Sequence, residues 1–282
     1  MEHRSISMER IQELLPQRKR DTHKGDYGKI LLLCGSKGYT GAAAMAAKSA
    51  LRTGAGLVFL GVPESIYAIE AVKLDEPVVF PLSDAYGKFS CDAANEILER
   101  LSDKDAVLIG PGLGQSEGTR VAVETVLENF SGPVVLDADG INVLKAHKDI
   151  LRGRTSPTIL TPHAGEFLRI GGTLEVGREE AAATLAKNLG VIVVLKGPDT
   201  VITDGKICYV NPTGNPGMAV VGSGDVLAGI IISLLGQGIA PLEAAAAGVW
   251  LHGAAGDICA QEIGQYGMLP TDMINVLPRL LK

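Results

Sequence analysis

Aromatic side chains are scarce in this chain: they make up 4% of its 282 residues. Little is available for stacking on bases, and a net charge of −6 withholds the basic patch that nucleic acid binding needs. Cysteines are few and scattered. Cys34, Cys91, Cys208 and Cys259 form no CxxC or other ligand spacing, so neither a zinc site nor a disulfide framework is indicated. Long apolar runs are missing as well. The longest, Val226 to Leu235, is broken by Gly229 and Ser233 and is too short to span a bilayer. The charged N-terminus has no apolar leader segment, so a cytoplasmic protein is expected. No GxxxxGK[ST], GxSxG or HExxH occurs, which excludes the P-loop, the nucleophile elbow and the zincin helix.

What is present is apolar and small. Hydrophobic residues make up 46% of the chain and charged residues 21%, enough to bury a full core. Alanine, glycine, valine and leucine dominate, a composition that suits tightly packed helices on a parallel sheet. Strand-like runs at 30–34, 57–60, 78–80, 106–109, 134–136, 158–160 and 191–195 alternate with helical stretches at 41–52, 92–101, 118–129 and 178–189. Such repetition predicts βαβ units in an α/β fold with a mostly parallel central sheet. Asp204-Gly205, between two β-rich runs, predicts a hairpin and an antiparallel edge. Helices are expected at 225–236, 242–259 and 271–281. No linker or repeat interrupts the pattern, so residues 1–282 read as one domain. Arg18, Lys19 and Arg20 read as solvated surface, and Cys34 and Cys208 as buried small hydrophobes.

The segment Asn211 to Gly229, NPTGNPGMAVVGSGDVLAG, carries the strongest chemical signal. A glycine-rich loop opening a helix presents orphan N–H groups and the positive end of the helix dipole, an anion site. Asp225 is out of place there unless it acts as a base beside a transferring phosphoryl group; the bland alternative is that it caps the helix. Ligands of open parallel sheets bind beyond the carboxyl ends of the strands, so the loops after each strand were compared. Gly35 to Gly41 (GSKGYTG) lacks the dinucleotide spacing and has no acidic residue near Leu60, but Gly41, Ala42 and Ala43 allow close ligand approach. Gly110 to Gly114 (GPGLG) exposes backbone amides or forms a tight turn. Asp137 and Asp139 hold magnesium through water, orient a substrate, or cap a helix. His163 and Glu166 (TPHAGE) follow another strand, and Lys196 ends the next and can reach phosphates or snorkel. His252, in an apolar helix, is more often a packed core residue than a site residue.

Together these motifs resemble one family. HKGDYGKILLLCGSKGYTGAA, GPGLG, LDADGINVL, TPHAGEF, VLKGPDTVI and NPTGNPGMAVVGSGDVLAGII occur in order over essentially the whole chain. They resemble the carbohydrate kinase-like NAD(P)HX dehydratases, which have the three-layer ribokinase-like fold with helices on both faces of the sheet. The resemblance implies a hydro-lyase that uses ADP or ATP, with magnesium, to phosphorylate the hydroxyl of NADHX or NADPHX, after which phosphate leaves. It implies Asp225 as the base and Gly222, Ser223 and Gly224 as the anion hole. It places the adenine nucleotide on Lys196, Gly197, Pro198, Asp199, Thr200 and Gly224. It places the dinucleotide substrate on Gly41, Ala42, Ala43, Gly112, Gly114, His163, Asn215 and Asp225, with no dedicated protein metal cage. A homotetramer is expected, as is the absence of the N-terminal epimerase domain found in some members, leaving epimerisation to a separate protein. Val221 stands where a glycine is expected, and Pro216 stiffens the loop. The alternatives are a vitamin-precursor kinase of the same fold and a non-catalytic nucleotide sensor.

Overall fold

A computed structural model of the chain describes residues 1–281. Its strands are β1 (Glu2–Arg4), β2 (Lys29–Leu33), β3 (Leu57–Pro63), β4 (Val78–Leu82), β5 (Asp84–Ala85), β6 (Lys88–Phe89), β7 (Ala106–Ile109), β8 (Val134–Leu136), β9 (Thr158–Leu160), β10 (Ile192–Leu195), β11 (Val201–Thr203) and β12 (Ile207–Val210). Its helices are α1 (Met8–Leu14), α2 (Thr40–Arg52), α3 (Glu64–Lys73), α4 (Ala93–Leu98), α5 (Glu117–Asn129), α6 (Asp139–Asn142), α7 (Asp149–Arg152), α8 (Ala164–Arg169), α9 (Arg178–Leu189), α10 (Ser223–Gly236), α11 (Pro241–Glu262) and α12 (Pro270–Leu280).

Ten strands form one sheet in the order β1-β12-β11-β10-β9-β8-β7-β2-β3-β4, and β5 and β6 form a separate hairpin. From β10 through β4 all neighbours are parallel. Such strands are covered on both faces, which is why they read as continuous apolar runs. Alternate residues of β2 show it. Ile30 and Leu32 enter a core shared with α2, α10, α11 and α12, while Leu31 and Leu33 enter a second core with α4, α5 and α9. This is the three-layer arrangement expected from the sequence.

The chain starts the parallel region in the middle, at β2, and moves to β3 and β4. It then returns to β7, on the other side of β2, and continues to β8, β9 and β10. Strand order therefore reverses between β2 and β7. In open α/β sheets the crevice at such a switch point is where ligands bind.

Three expectations need correction. The 201–210 hairpin is present, but it is not the edge of the sheet. β11 runs antiparallel, β12 turns back, and β1, which was not foreseen, pairs parallel to β12 and takes the edge. Three residues without an apolar alternation carry no local strand signal. Helix α10 begins at Ser223, not Asp225, because Gly222 adopts the left-handed conformation (φ 100°) and occupies the cap position. The 92–101 helix is shorter, ending at Leu98, with turns completing the stretch.

Small residues let α2 and α10 nearly touch. A Cβ built on Gly229 would lie 2.0 Å from Ser49 Oγ and 2.3 Å from the Ala46 carbonyl oxygen. The alanine-rich face of α2 thus sets the depth at which α10 crosses the sheet. Cys34 and Cys208 are buried, as expected. Trp250 is half-buried against the core. Arg18 is exposed but stacks 4.1 Å over the Tyr27 ring and donates to the Gly54 carbonyl, so it is not merely solvated. Among the described residues no helix is long and apolar enough to cross a membrane.

Candidate active site

Two groups of residues gather along the carboxyl edge of the parallel strands. The first lies beneath the N-terminus of α10. Gly222 caps this helix with backbone alone, so Asp225, in the first turn, is not its cap. The Ser223 N–H is used by the Val220 carbonyl at 3.2 Å, whereas the Gly222, Gly224 and Asp225 amides have no acceptor among the described residues. The unpaired amides at this helix start that could receive an anion therefore include those of Gly222, Gly224 and Asp225. The Ser223 hydroxyl lies 3.2 Å from His252 Nε2. Burial pulls the His252 imidazole down to about 4, so the ring is neutral near pH 7. His252 is thus both a buried residue of α11 and a neighbour of the site, two roles that its sequence setting presented as alternatives.

Burial, reinforced by the Asp137 carboxylate and opposed by Lys196, pushes the Asp225 carboxyl up to about 7. Lys196 follows β10, and its Nζ donates to Asp137 Oδ1 at 2.8 Å and lies 3.8 Å from Glu166 Oε2. Burial alone would lower the lysine. The Asp137 and Glu166 carboxylates outweigh it, and the ammonium is held above its ordinary value. Asp137 Oδ1 also accepts from Thr161 Oγ1 at 2.6 Å. A Cβ built on Gly224 would lie 3.4 Å from Lys196 Nζ, so the lysine faces the start of α10. One ammonium therefore bonds to Asp137, after β8, and lies near Glu166 of α8, while the Asp225 carboxylate of α10 also raises it, close to the free amides of the α10 start.

The second group sits at the switch point. The loops after β2 and β7 are tied together: the Gly35 N–H donates to the Pro111 carbonyl at 2.8 Å, and Ser36 Oγ to the Gly112 carbonyl at 2.6 Å. Gly112 (φ 65°) packs where a Cβ would meet Ala42 Cβ at 2.8 Å, so the predicted Ala42 and Gly112 are neighbours. Gly41 and Ala43 share the first turn of α2. Asp139 does not cap α6, whose cap position is Ala138. Its Oδ2 accepts from the Gly114 N–H at 2.8 Å and fastens the GPGLG loop.

Other expected residues are engaged structurally. His163 caps α8: Nδ1 accepts from the Gly165 and Glu166 amides at 3.0 and 3.3 Å, while Nε2 stands 3.3 Å from Glu166 Oε1. It remains exposed at the rim of the first group. Gly197 and Thr200 close a turn, with Thr200 Oγ1 donating to the Gly197 carbonyl at 2.8 Å, and Asp199 takes φ 51°. Pro198 lies within that turn. Asn215 is held to α11, its Nδ2 bonded to Asp257 Oδ1 at 3.0 Å and its Oδ1 accepting from the Gly217 N–H. Asp257 and Arg178 gave no local signal. Arg178 Nη2 donates to the Leu195 and Lys196 carbonyls at 2.8 and 3.1 Å, which sets the backbone carrying Lys196.

The chain as a whole is similar to known proteins. The family model described as NAD(P)H-hydrate dehydratase matches residues 30–279. The chain belongs to the NAD(P)H-hydrate dehydratase family. Within this family it is 37% identical over 280 residues to the ADP-dependent (S)-NAD(P)H-hydrate dehydratase of Bacillus subtilis, covering 97% of this chain and 96% of that one. It is 45% identical to the bifunctional NAD(P)H-hydrate repair enzyme Nnr of Moorella thermoacetica over 95% of this chain. That alignment covers 52% of the bifunctional protein, so the chain spans about half the length of the bifunctional relatives it matches. The crystal structure of the ADP/ATP-dependent B. subtilis dehydratase, co-crystallized with ATP and Mg2+, superposes with a TM-score of 0.84 at 33% identity, covering 97% of this chain and 96% of that one. The ribokinase-like fold expected from the sequence is thereby established.

Proposed function

We propose that this chain returns hydrated NADH and NADPH to their dihydronicotinamide forms at the expense of ADP. The reading rests on Asp225, a carboxyl held near neutrality beside the free amides of an apolar helix, with a lysine across from it. Asp225 accepts the proton of the substrate hydroxyl as that oxygen attacks the terminal phosphorus of the nucleotide. A carboxyl near 7 is matched to proton transfer at neutral pH. The nucleotide's phosphorus–oxygen bond breaks, leaving AMP from ADP. Phosphate then leaves the ring with a proton from the neighbouring carbon, and the ring double bond returns.

Charge develops on the transferring phosphoryl oxygens, and the amides around Gly222, Ser223 and Gly224 lie at the positive end of the α10 dipole. Lys196, Gly197, Pro198, Asp199, Thr200 and Gly224 receive the adenine nucleotide. Gly41, Ala42, Ala43, Gly112 and Gly114 receive the dinucleotide at the switch point, with His163 at the rim and Asn215 also contacting it. Magnesium, when carried in by the nucleotide, spreads phosphate charge. The residues fit it only in that form. Asp139 is spent on Gly114 and Asn142, and Asp137 Oδ1 on Lys196 and Thr161, which leaves Asp137 Oδ2 for a hydrated ion. We extend the reading to a cytoplasmic homo-oligomer, a tetramer, supported by the apolar Ile69 and Val72 that α3 leaves exposed.

The test is chemically hydrated NADH supplied with ADP and magnesium. Recovery of the near-ultraviolet dihydronicotinamide absorbance in step with phosphate release supports the reading, and substituting ATP ranks the nucleotides. A stable phosphoester on another acceptor, with no absorbance recovery, would instead favour the vitamin-precursor kinase. Nucleotide binding without turnover on either substrate would favour the sensor.

A further inference from the structure

At one edge of the sheet, β1 pairs with β12. Its middle residue, His3, is in register with Cys208 of β12. Parallel register partners point their side chains to the same face. That face carries α9, whose Glu179 reaches back to both. His3 Nδ1 lies 3.4 Å from Glu179 Oε2, and Cys208 Sγ lies 4.0 Å from the same oxygen. The imidazole nitrogen, thiol sulfur and carboxylate oxygen all fall within 4.8 Å of one another.

We propose that His3, Glu179 and Cys208 form a zinc-binding site that clamps the edge strand β1 to β12 and α9. A tetrahedral zinc ion with its usual bonds to nitrogen, oxygen and sulfur sets ligand atoms roughly 3.3–3.6 Å apart. The His3–Glu179 separation already meets this spacing, and the thiol, at 4.0 Å from the carboxylate and within 4.8 Å of the imidazole, reaches it by a shift of roughly 1 Å. His3 and Glu179 are exposed enough to make that movement, with side-chain exposures of 60% and 45%, and solvent supplies the fourth ligand. Cys208 is buried and anchors the site in the core.

Charge supports the choice of metal. A thiolate and a carboxylate balance a divalent cation, and the mixed soft sulfur and imidazole set selects zinc over magnesium or calcium. Without the metal, burial and the Glu179 carboxylate push the Cys208 thiol up to about 11. Coordination reverses that cost by deprotonating the thiol against the cation. None of the three ligands is among the residues assigned to phosphoryl transfer, and the site is given a structural role. Linear spacing gave no hint of it, because the three ligands come from an edge strand, a helix start and a hairpin.

The experiment uses the full chain without an affinity tag, titrated with Zn2+ and, in parallel, with Co2+. Expected are one tight equivalent of zinc, a thiolate-to-cobalt charge-transfer band, and a rise in melting temperature that EDTA reverses. Losing an outer-shell partner alone costs about 10–100-fold in metal affinity, so Cys208→Ser must lose at least that much, with the band. His3→Gln must weaken binding while leaving the band visible at higher cobalt. Cys91→Ser, at the exposed cysteine, must change neither. An unaltered affinity in Cys208→Ser, or no thiolate band in the wild-type chain, overturns the proposal. Turnover on hydrated NADH is measured alongside and is expected to stay unchanged.

Discussion

The two halves of the carboxyl edge are built from opposite materials. At the switch point between β2 and β7, ligand space is bounded by glycine, alanine and backbone carbonyls, and the one carboxylate there, Asp139, is spent on holding a loop. Beyond β8, β9 and β10 the edge is a charge cluster in which Asp137 and Glu166 are buried and Lys196 and Asp225 half-buried. Under the proposed function, shape at the switch point would recognise a large, flat dinucleotide with little energetic risk, since uncharged walls need no partners. Buried charges are costly unless they are compensated, and under the proposed function the charged half is where a proton and a phosphoryl group would move. Helix α10 joins the two: Asp225 faces the charges, and Gly229 packs on α2, which opens the switch-point cradle.

The comparison breaks most sharply at Asp225. Asp225→Asn should lower turnover about 10²–10⁴-fold while nucleotide binding, followed by calorimetry, persists. Near-normal turnover would remove chemistry from the charged half. The same variant has a sign test in stability. A carboxyl raised to about 7 in the folded chain weakens it as pH rises from about 4 to 7, because the folded state holds the proton longer than the unfolded one. Asp225→Asn should therefore be more stable than wild type above pH 7, with the gap closing toward pH 4 in thermal melts.

Lys196→Met should come next. It strands Asp137, which is 2% exposed, beside Glu166, and should cost about 3–5 kcal/mol in chemical denaturation. A smaller loss would mean that water already reaches these carboxylates. Gly229→Ala forces a methyl group into Ser49 and the Ala46 carbonyl and should cost about 1–3 kcal/mol or more, testing whether α10 transmits between the halves. Gly112→Ala sharpens the contrast from the other side. Its Cβ would crowd Ala42, so KM for the hydrated dinucleotide should rise about 10-fold with kcat little changed. A fall in kcat with constant KM would show that the cradle takes part in the chemical step.

Much of this was visible in the linear chain, and the misses share one cause. Strands buried on both faces announce themselves as apolar runs, and loops placed after them put Asp225, Lys196 and Asp137 in view. Edge strand β1 is three residues long and gains its structure only from pairing with β12, more than 200 positions away, at Ile207–Tyr209. Asp257 and His252 sit on one long helix whose apolar face hides them, and their partners Asn215 and Ser223 lie on a distant loop and helix start. Asp225 was legible as an acid at a helix start, but its displacement toward neutrality depends on what packs around it.

The sequence by itself determined the layered α/β class, the order of the main parallel strands and the longer helices, the family and the residues able to do chemistry, because hydrophobic period, glycine placement and motif order are local properties. Tertiary structure decided that strand order reverses between β2 and β7, that one lysine answers three carboxylates, that Ser223 spends its amide on Val220 while Gly224 and Asp225 keep theirs free, and that His3, Glu179 and Cys208 meet. Each of these depends on groups far apart in the chain, whose desolvation and mutual field exist only once the two cores have closed around the sheet.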